Sequence, residues 1–108
     1  MIARIWHGWT SPANADAYQQ LLQAKILPGI HRVPGFHGAH LLRRDVGDEV
    51  EFVTITLFDD LDAVRRFAGE PYTRAVIHPD AVKLLTRFDE HSAHYETVLT
   101  PAPAESRT

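Results

Sequence analysis

Histidine and tryptophan cluster in the first ten residues, at a spacing that suits an aromatic substrate. His7 and Trp9 are two residues apart, so in a strand their side chains share one face, while Trp6 lies on the other. An aromatic ring can stack on a flat substrate, and a neighbouring imidazole can take a hydroxyl proton. We therefore predict His7 as a catalytic residue and Trp6 and Trp9 as substrate-binding residues. The alternative is that one tryptophan belongs to the core and the other to an interface.

His78 is the second candidate catalytic residue. It precedes Pro79, and a proline disfavours helical backbone at the residue before it. A histidine at such an element boundary could act as a general base on a phenol, or it could ligate haem iron. The alternative is a surface histidine or one that caps a helix.

Three further residues could bind oxygen atoms of a substrate. Tyr72 and Tyr95 have hydroxyl groups that usually find a hydrogen-bond partner when buried. Arg43 could hold an anionic oxygen or a carboxylate. The alternatives are core or interface positions for the tyrosines and a solvated edge-strand position for the arginine.

The composition excludes several other kinds of chemistry. The chain has 108 residues and no cysteine, which rules out disulfides and thiolate ligands or nucleophiles. Its net charge of −3 argues against a nucleic-acid partner, which would require a basic patch. No nucleophile elbow and no Gly-rich phosphate loop is present. We find no membrane-spanning run and no secretory segment, and we expect a cytoplasmic protein with no membrane partner.

The seven histidines do not pair into an evident metal site. Two pairs are separated by three residues, namely His37 with His40 and His91 with His94. In a strand this spacing puts the members of a pair on opposite faces. We therefore predict no metal site, apart from His78 if haem binds.

The elements that must position these residues follow the order β-α-β-β-α-β, which is the ferredoxin-like pattern of an α+β fold. Alternation and turn residues predict strands over residues 2–9, 36–44, 50–58 and 91–99. One helix begins at Ser11 and Pro12 and is broken at Pro28 and Gly29. Another is capped by Asp59 or Asp60 and ends at Gly69. We assign residues 1–99 to one domain and residues 100–108 to a disordered tail.

Between the second long helix and the last strand the pattern is weaker. Residues 71–77 are predicted to form a further helical turn that Pro79 stops. Asp80 is a candidate cap for a short helix over Val82, Leu84 and Leu85.

Both faces of the clearest strands are apolar. In the third strand Val53, Ile55 and Leu57 share one face, and Phe52 and Phe58 lie on the other. Helices can cover only one face of a four-stranded sheet, and an uncovered apolar face is unfavourable in water. We therefore expect a homodimer in which two sheets pack face to face.

Several segments resemble a known family when taken in order. These are MIARIWHG at residues 1–8, VPGF at 33–36, FAGE at 67–70, IHPD at 77–80 and the pair His94-Tyr95. Over residues 1–99 the chain resembles the antibiotic-biosynthesis-monooxygenase family. The resemblance implies a dimeric α/β barrel with a pocket between sheet and helices in each subunit. His78 lies in the segment that walls this pocket in the family.

The family includes cofactor-independent monooxygenases of polyketide quinols or phenols, and haem-degrading monooxygenases share its fold. The polyketide-oxidising members have an Asn and a Trp on the third strand, where Thr54 and Phe58 stand here. The haem-degrading members have an Asn on the first strand, which this chain lacks. They also have a Trp where Phe67 stands, and an iron-binding His close to the position of His78. The resemblance therefore implies Phe67 as a substrate-binding residue.

We predict from these observations a cofactor-independent monooxygenase that acts on a small aromatic or polyketide-type substrate in antibiotic biosynthesis. One alternative is a haem-binding or haem-degrading monooxygenase that uses His78. A second is a non-enzymatic dimer that binds a small ligand.

Overall fold

Five strands and four short α-helices follow one another along residues 1–100, the part of the chain that the computed structural model describes. In chain order they are β1 (Ile2–Thr10), α1 (Ala15–Leu21), α2 (Leu27–Ile30), β2 (Phe36–Val46), β3 (Glu49–Phe58), α3 (Leu61–Ala68), α4 (Pro79–Val82), β4 (Leu85–Phe88) and β5 (Ala93–Glu96). A 3₁₀ turn (Pro12–Asn14) precedes α1, and a π-helical turn (Leu22–Ile26) joins α1 to α2. The predicted tail falls almost entirely outside the described residues.

The strands form one antiparallel sheet in the order β2-β3-β1-β4, and β5 also pairs with β1. Because β3 occupies one edge of β1 along its whole length, β4 and β5 lie one after the other on the opposite edge. Together they fill a single strand position, so the sheet has the predicted ferredoxin-like order.

The predicted last strand, residues 91–99, is partly wrong. Pairing with β1 already begins at Leu85, and β5 ends at Glu96. Between β4 and β5 the chain leaves β1 and bonds instead to the loop before α4. There Ala75 N donates to Glu90 O (2.9 Å), and Ser92 N donates to Thr73 O (2.6 Å). The predicted helical turn over residues 71–77 is only partly right. Arg74 N donates to Pro71 O (3.1 Å) in a single turn, but the following residues bond to the segment between β4 and β5 and form no helix.

The first helical region begins as predicted but extends further. Ser11 caps it, since its side chain accepts from Asn14 N. The predicted break at Pro28 and Gly29 is wrong, because helical backbone continues to Ile30. In the π-helical turn Leu27 N donates to Leu22 O, five residues back. This wider turn lets the chain enter α2, where Pro28 stands in the first turn.

The second helical region agrees with the sequence at its start and end. Asp60 caps α3 by accepting from Ala63 N (2.9 Å), and Gly69 ends it with a φ of 75°. The predicted cap of the next helix is wrong. His78, not Asp80, is the N-cap of α4, because Pro79 holds its backbone extended. The predicted extension of this helix to Leu85 is wrong too, since Leu85 begins β4.

The core lies between the helices and one face of the sheet. Even-numbered residues of β1 pair with even-numbered residues of β3, and both sets face the helices. Phe52 and Phe58 are fully buried there, and the ring of Tyr18 packs edge-on against Phe52 at 4.8 Å. Within residues 1–100, no helix is long and apolar enough to cross a membrane.

Candidate functional site

A cavity of about 70 Å³, which opens to the surface, separates the helices from the sheet. The helical wall is apolar and consists of Leu22, Ile26, Leu27 and Ile30, from the π-helical turn and α2. These four residues recur at helical spacing, so their side chains share one side of the helical segment and lie over the sheet. Mostly apolar walls with a few polar groups are typical of small-molecule sites.

The sheet wall of the cavity contains Arg4 and Trp6 of β1 with Thr54 and Thr56 of β3. These four residues are cross-strand neighbours, since Arg4 is opposite Thr56 and Trp6 is opposite Thr54. Most of the polar groups therefore lie on the sheet, and the helical elements add Tyr18 and His78.

Trp6 is held in a fixed orientation. Its indole Nε1 donates a hydrogen bond to the backbone oxygen of Asp89 at 2.7 Å. Its ring lies over Gly8, where an added Cβ would stand only 2.6 Å from the ring. The spacing of Trp6 and Gly8 thus creates the space that the indole occupies beside the cavity.

Arg4 is a buried cation, with only 4% of its surface exposed. Its Nη1 donates to Tyr72 O (2.6 Å) and to His94 Nε2 (2.9 Å), and its Nη2 donates to Arg74 O (2.9 Å). Burial lowers the pKa of Arg4 to about 10, so the guanidinium remains charged at neutral pH. Its Cζ also lies 5.5 Å from the centroid of the ring of Phe67, which is another cavity residue.

The contact with Arg4 determines the protonation of His94. A guanidinium can only donate, so Nε2 of His94 must be the accepting nitrogen. Burial, and next the charge of Arg4, lower the pKa of His94. His94 is therefore neutral, and its ring is packed against Tyr72 at 5.1 Å.

His78 lies at the rim of the cavity as the N-cap of α4. Its Nδ1 accepts a hydrogen bond from Asp80 N at 3.1 Å. A neutral imidazole has one donor and one acceptor nitrogen, so Nε2 is the nitrogen that carries the proton. In this arrangement His78 can offer a hydrogen bond to a ligand but has no free lone pair for one.

Tyr18 supplies another donor. It lines the cavity from α1, and burial raises its pKa well above the ordinary value. The phenol therefore stays protonated. None of the hydrogen bonds within residues 1–100 involves its hydroxyl, so it can interact with a ligand from the cavity.

The mouth of the cavity is bounded by two helical elements. An outer depression shares Ile26, Ile30 and His78 with the cavity and reaches Lys25. Lys25 Nζ lies 3.3 Å from Asp80 Oδ2, so an ion pair joins the π-helical turn to α4. The entrance thus has one exposed ion pair beside apolar side chains.

The structure brings together three of the predicted site residues, Trp6, Phe67 and His78. His7 and Trp9 do not line the cavity, because they lie on the opposite face of β1. There His7 Nδ1 donates to Asp89 Oδ2 at 3.0 Å, and its ring stacks on Trp9 at 6.2 Å.

The other three predicted residues also lie outside the cavity lining. Tyr72 contributes its backbone oxygen to Arg4. Tyr95 is exposed on the opposite face of the sheet, across from Ala3. Arg43 faces the helices, and its Nη1 donates to Asp16 (3.0 Å) and Gln19 (2.8 Å) of α1. Its contacts join sheet to helix.

Sequence reasoning missed Arg4, Tyr18 and His94 as candidate residues. Arg4 is the one charged residue on its face of β1, and that exception was the available signal. The residues next to His94 gave no sign of its role, since its hydrogen-bond partner Arg4 lies 90 positions away in the chain. Within residues 1–100, no three His, Asp or Glu side chains converge as metal ligands would.

Comparison with known proteins extends the resemblance. Residues 1–79 match the model of the family described as antibiotic biosynthesis monooxygenase. That match runs from β1 to the start of α4 and includes Arg4, Trp6, Phe67 and His78. No curated protein matches the chain.

Several solved structures share the fold. A monooxygenase of Streptomyces coelicolor in complex with nanaomycin D has a TM-score of 0.68 at 17% identity, over 95% of this chain and 92% of that one. SnoaB, a cofactor-independent oxygenase of Streptomyces nogalater, has a TM-score of 0.64 at 21% identity, over 92% and 94%. The haem degrader MhuD of Mycobacterium tuberculosis, with two haems bound, has a TM-score of 0.61 at 23% identity, over 94% and 100%. At these identities the likeness establishes the fold alone.

Proposed function

Since the chain belongs to the antibiotic biosynthesis monooxygenase family, we propose that it is a cofactor-independent monooxygenase of a small aromatic or polyketide-type substrate. The observation that carries this proposal is the cavity between helices and sheet. Its apolar helical wall and its rings, Trp6 and Phe67, suit a flat aromatic molecule. Its few polar groups lie where they could contact oxygen atoms of such a ligand.

The proposed reaction needs no external reductant. A phenol with an unsubstituted para carbon reacts with O₂ to give a quinone and water. One oxygen atom is added to the ring, and the substrate itself supplies the two electrons that reduce the other oxygen atom to water. The protein must hold the electron-rich substrate, stabilise negative charge and exclude water. Trp6 and Phe67 would hold the ring, and Ile26 and Ile30 would exclude water.

His78 and Tyr18 would act as hydrogen-bond donors in this site. Nδ1 of His78 is occupied by Asp80 N, so its Nε2–H would be the group that donates to a ligand. This geometry supports charge stabilisation by His78 rather than the general-base role that we predicted from the sequence. A protonated Tyr18 would provide a second donor.

Oxygen uptake tests the proposal, with a panel of polycyclic phenols and quinols in the presence of a metal chelator. We expect enzyme-dependent uptake with at least one compound. Trp6→Leu should lower it strongly, because Trp6 lines the cavity, and Trp9→Leu on the other face is the matched control. Uptake at the buffer rate for the whole panel would contradict the proposal, and tight binding without uptake would favour a ligand-binding protein.

The haem alternative fits these residues poorly. A histidine that ligates a metal usually donates from its other ring nitrogen, but Nδ1 of His78 accepts from Asp80 N instead. We therefore expect no stoichiometric Soret band on titration with haemin. A saturable band that is lost in His78→Ala would reverse this preference.

We also propose that two chains pair through the sheet face that the helices leave open. Ile5, Val53 and Ile55 are only half-buried on that face, and Leu42 and Tyr95 are exposed. An uncovered apolar patch of this kind favours burial against a second copy. Light scattering should give the mass of two chains, and Ile55→Lys should give the mass of one. A monomeric wild-type protein would contradict the pairing.

A further inference from the structure

We propose that Arg4 forms an anion-binding subsite on the sheet wall of the cavity, where it takes an anionic oxygen, phenolate or carboxylate, of an aromatic ligand. The identification of that ligand as a substrate rests on the function proposed above. The subsite itself is argued from the surroundings of one side chain.

The first argument concerns charge. Four exposed or half-exposed arginines have carboxylate partners, namely Arg43, Arg44, Arg65 and Arg87. Arg4 is far more buried than any of them, yet no carboxylate lies within ion-pair distance of it in residues 1–100. Buried charges are costly unless they are paired. A ligand anion would supply the missing negative charge.

The second argument concerns hydrogen bonds. A guanidinium has five N–H groups, and three of those on Arg4 bond to neutral acceptors, two backbone oxygens and His94. These contacts fix the plane of the group. The Nε–H and one Nη2–H have no acceptor within residues 1–100, and two donors on a planar cation suit an anionic oxygen.

The third argument is position. Arg4 lines the cavity beside Phe67 and opposite the apolar helical wall. An aromatic ligand whose anionic oxygen contacts Arg4 would place its rings along Trp6 and the residues of α2. Exposed Arg66 donates from Nη1 to the backbone oxygen of Pro34 and has no carboxylate partner among residues 1–100, but it lies outside the cavity. It therefore provides a matched control.

The test compares binding of ligand pairs that differ in charge but hardly in shape. The pairs are naphthoate with naphthamide, and dinitronaphtholate with its methyl ether, titrated at neutral pH by calorimetry. We expect wild-type protein to prefer the anion about tenfold or more in at least one pair, because hydrogen bonds to charged groups are the stronger ones. A preference in the first pair alone would identify a carboxylate, and in the second alone a phenolate.

Variants assign the preference to the residue. In Arg4→Met the ratio of the affinity for the anion to the affinity for its neutral partner should fall to about one. In Arg66→Met this ratio should stay at the wild-type value. Equal binding of anion and neutral isostere to wild-type protein would overturn the proposed subsite. This measurement uses wild-type protein alone, so it does not depend on whether a variant folds. A ratio that persists in folded Arg4→Met would overturn it too. These ligands need not react with O₂, so an anion preference without oxygen uptake would contradict only the proposed function.

Discussion

The two faces of β1 carry similar residue types in very different surroundings. On the helix side, Arg4 and Trp6 lie beside a cavity, and each bonds to backbone oxygens. On the open side, Trp9 is covered by Arg87, whose guanidinium lies 3.9 Å from the ring and bonds to Glu49. Arg87 on the open face is paired with a carboxylate, and Arg4 on the helix face is not. The difference teaches that burial and pairing, not residue type, mark the face that can bind a charged ligand.

Stability should distinguish the faces most strongly. Phe52→Ala removes a fully buried ring from the helix side and should cost about 3–5 kcal/mol of unfolding free energy. Val53→Ala, one residue along the same strand, removes a half-buried side chain from the open face and should cost roughly 1 kcal/mol. Urea unfolding at low protein concentration, where chain pairing contributes least, measures both values. Similar losses would mean that the open face is as tightly packed within one chain as the core.

Turnover should distinguish the two candidate histidines. His78→Ala removes a donor at the rim of the cavity, and we expect about a tenfold loss of kcat/KM on the substrate found by oxygen uptake. His7→Ala changes the opposite face and should leave kcat/KM within about twofold, the usual result of a substitution remote from the reacting atoms. A larger loss in His7→Ala than in His78→Ala would reverse the assignment of the faces.

The smallest expected difference is in the pH dependence of stability. Burial and the charge of Arg4 lower the pKa of His94, so below neutral pH the unfolded chain binds more protons than the folded one. The free energy of unfolding should therefore fall as the pH drops from about 7 through the folded pKa. His94→Gln should flatten that part of the profile, whereas His40→Gln, at an exposed position on the open face, should leave it unchanged. Identical profiles for wild type and His94→Gln would contradict the neutral form of His94.

Much of the fold could be predicted because its signals are local. The β-branched run of β3, the cap at Asp60 and the turn at Gly47 each depend on neighbouring residues alone. The interrupted last strand could not be predicted in this way. Its gap depends on hydrogen bonds to the loop before α4, more than 14 residues earlier in the chain.

The candidate site was harder to predict for the same reason. Alternation correctly separated Trp6 from His7 and Trp9, but a period of two cannot say which face meets the helices. The importance of Arg4 depends on Tyr72, Arg74 and His94, which are 68 to 90 positions away. The local sequence around Arg4 carries no trace of these partners.

The π-helical turn at Leu22–Ile26 has a consequence for how the cavity could diversify. A π turn holds one residue more than an α turn, so deleting one residue there would restore α-helix and leave α2 at nearly the same rotation relative to the residues before it. Ile30 would still face the cavity, but the helical wall would lose the bulge and one residue of the turn, while the sheet with Arg4 and Trp6 would be unaffected. A single-codon deletion would therefore reshape one wall and preserve the other, and ligand-size profiles of the deletion variant would measure the change. Related proteins that differ by one residue in this turn would be expected to accept different substrates on the same sheet.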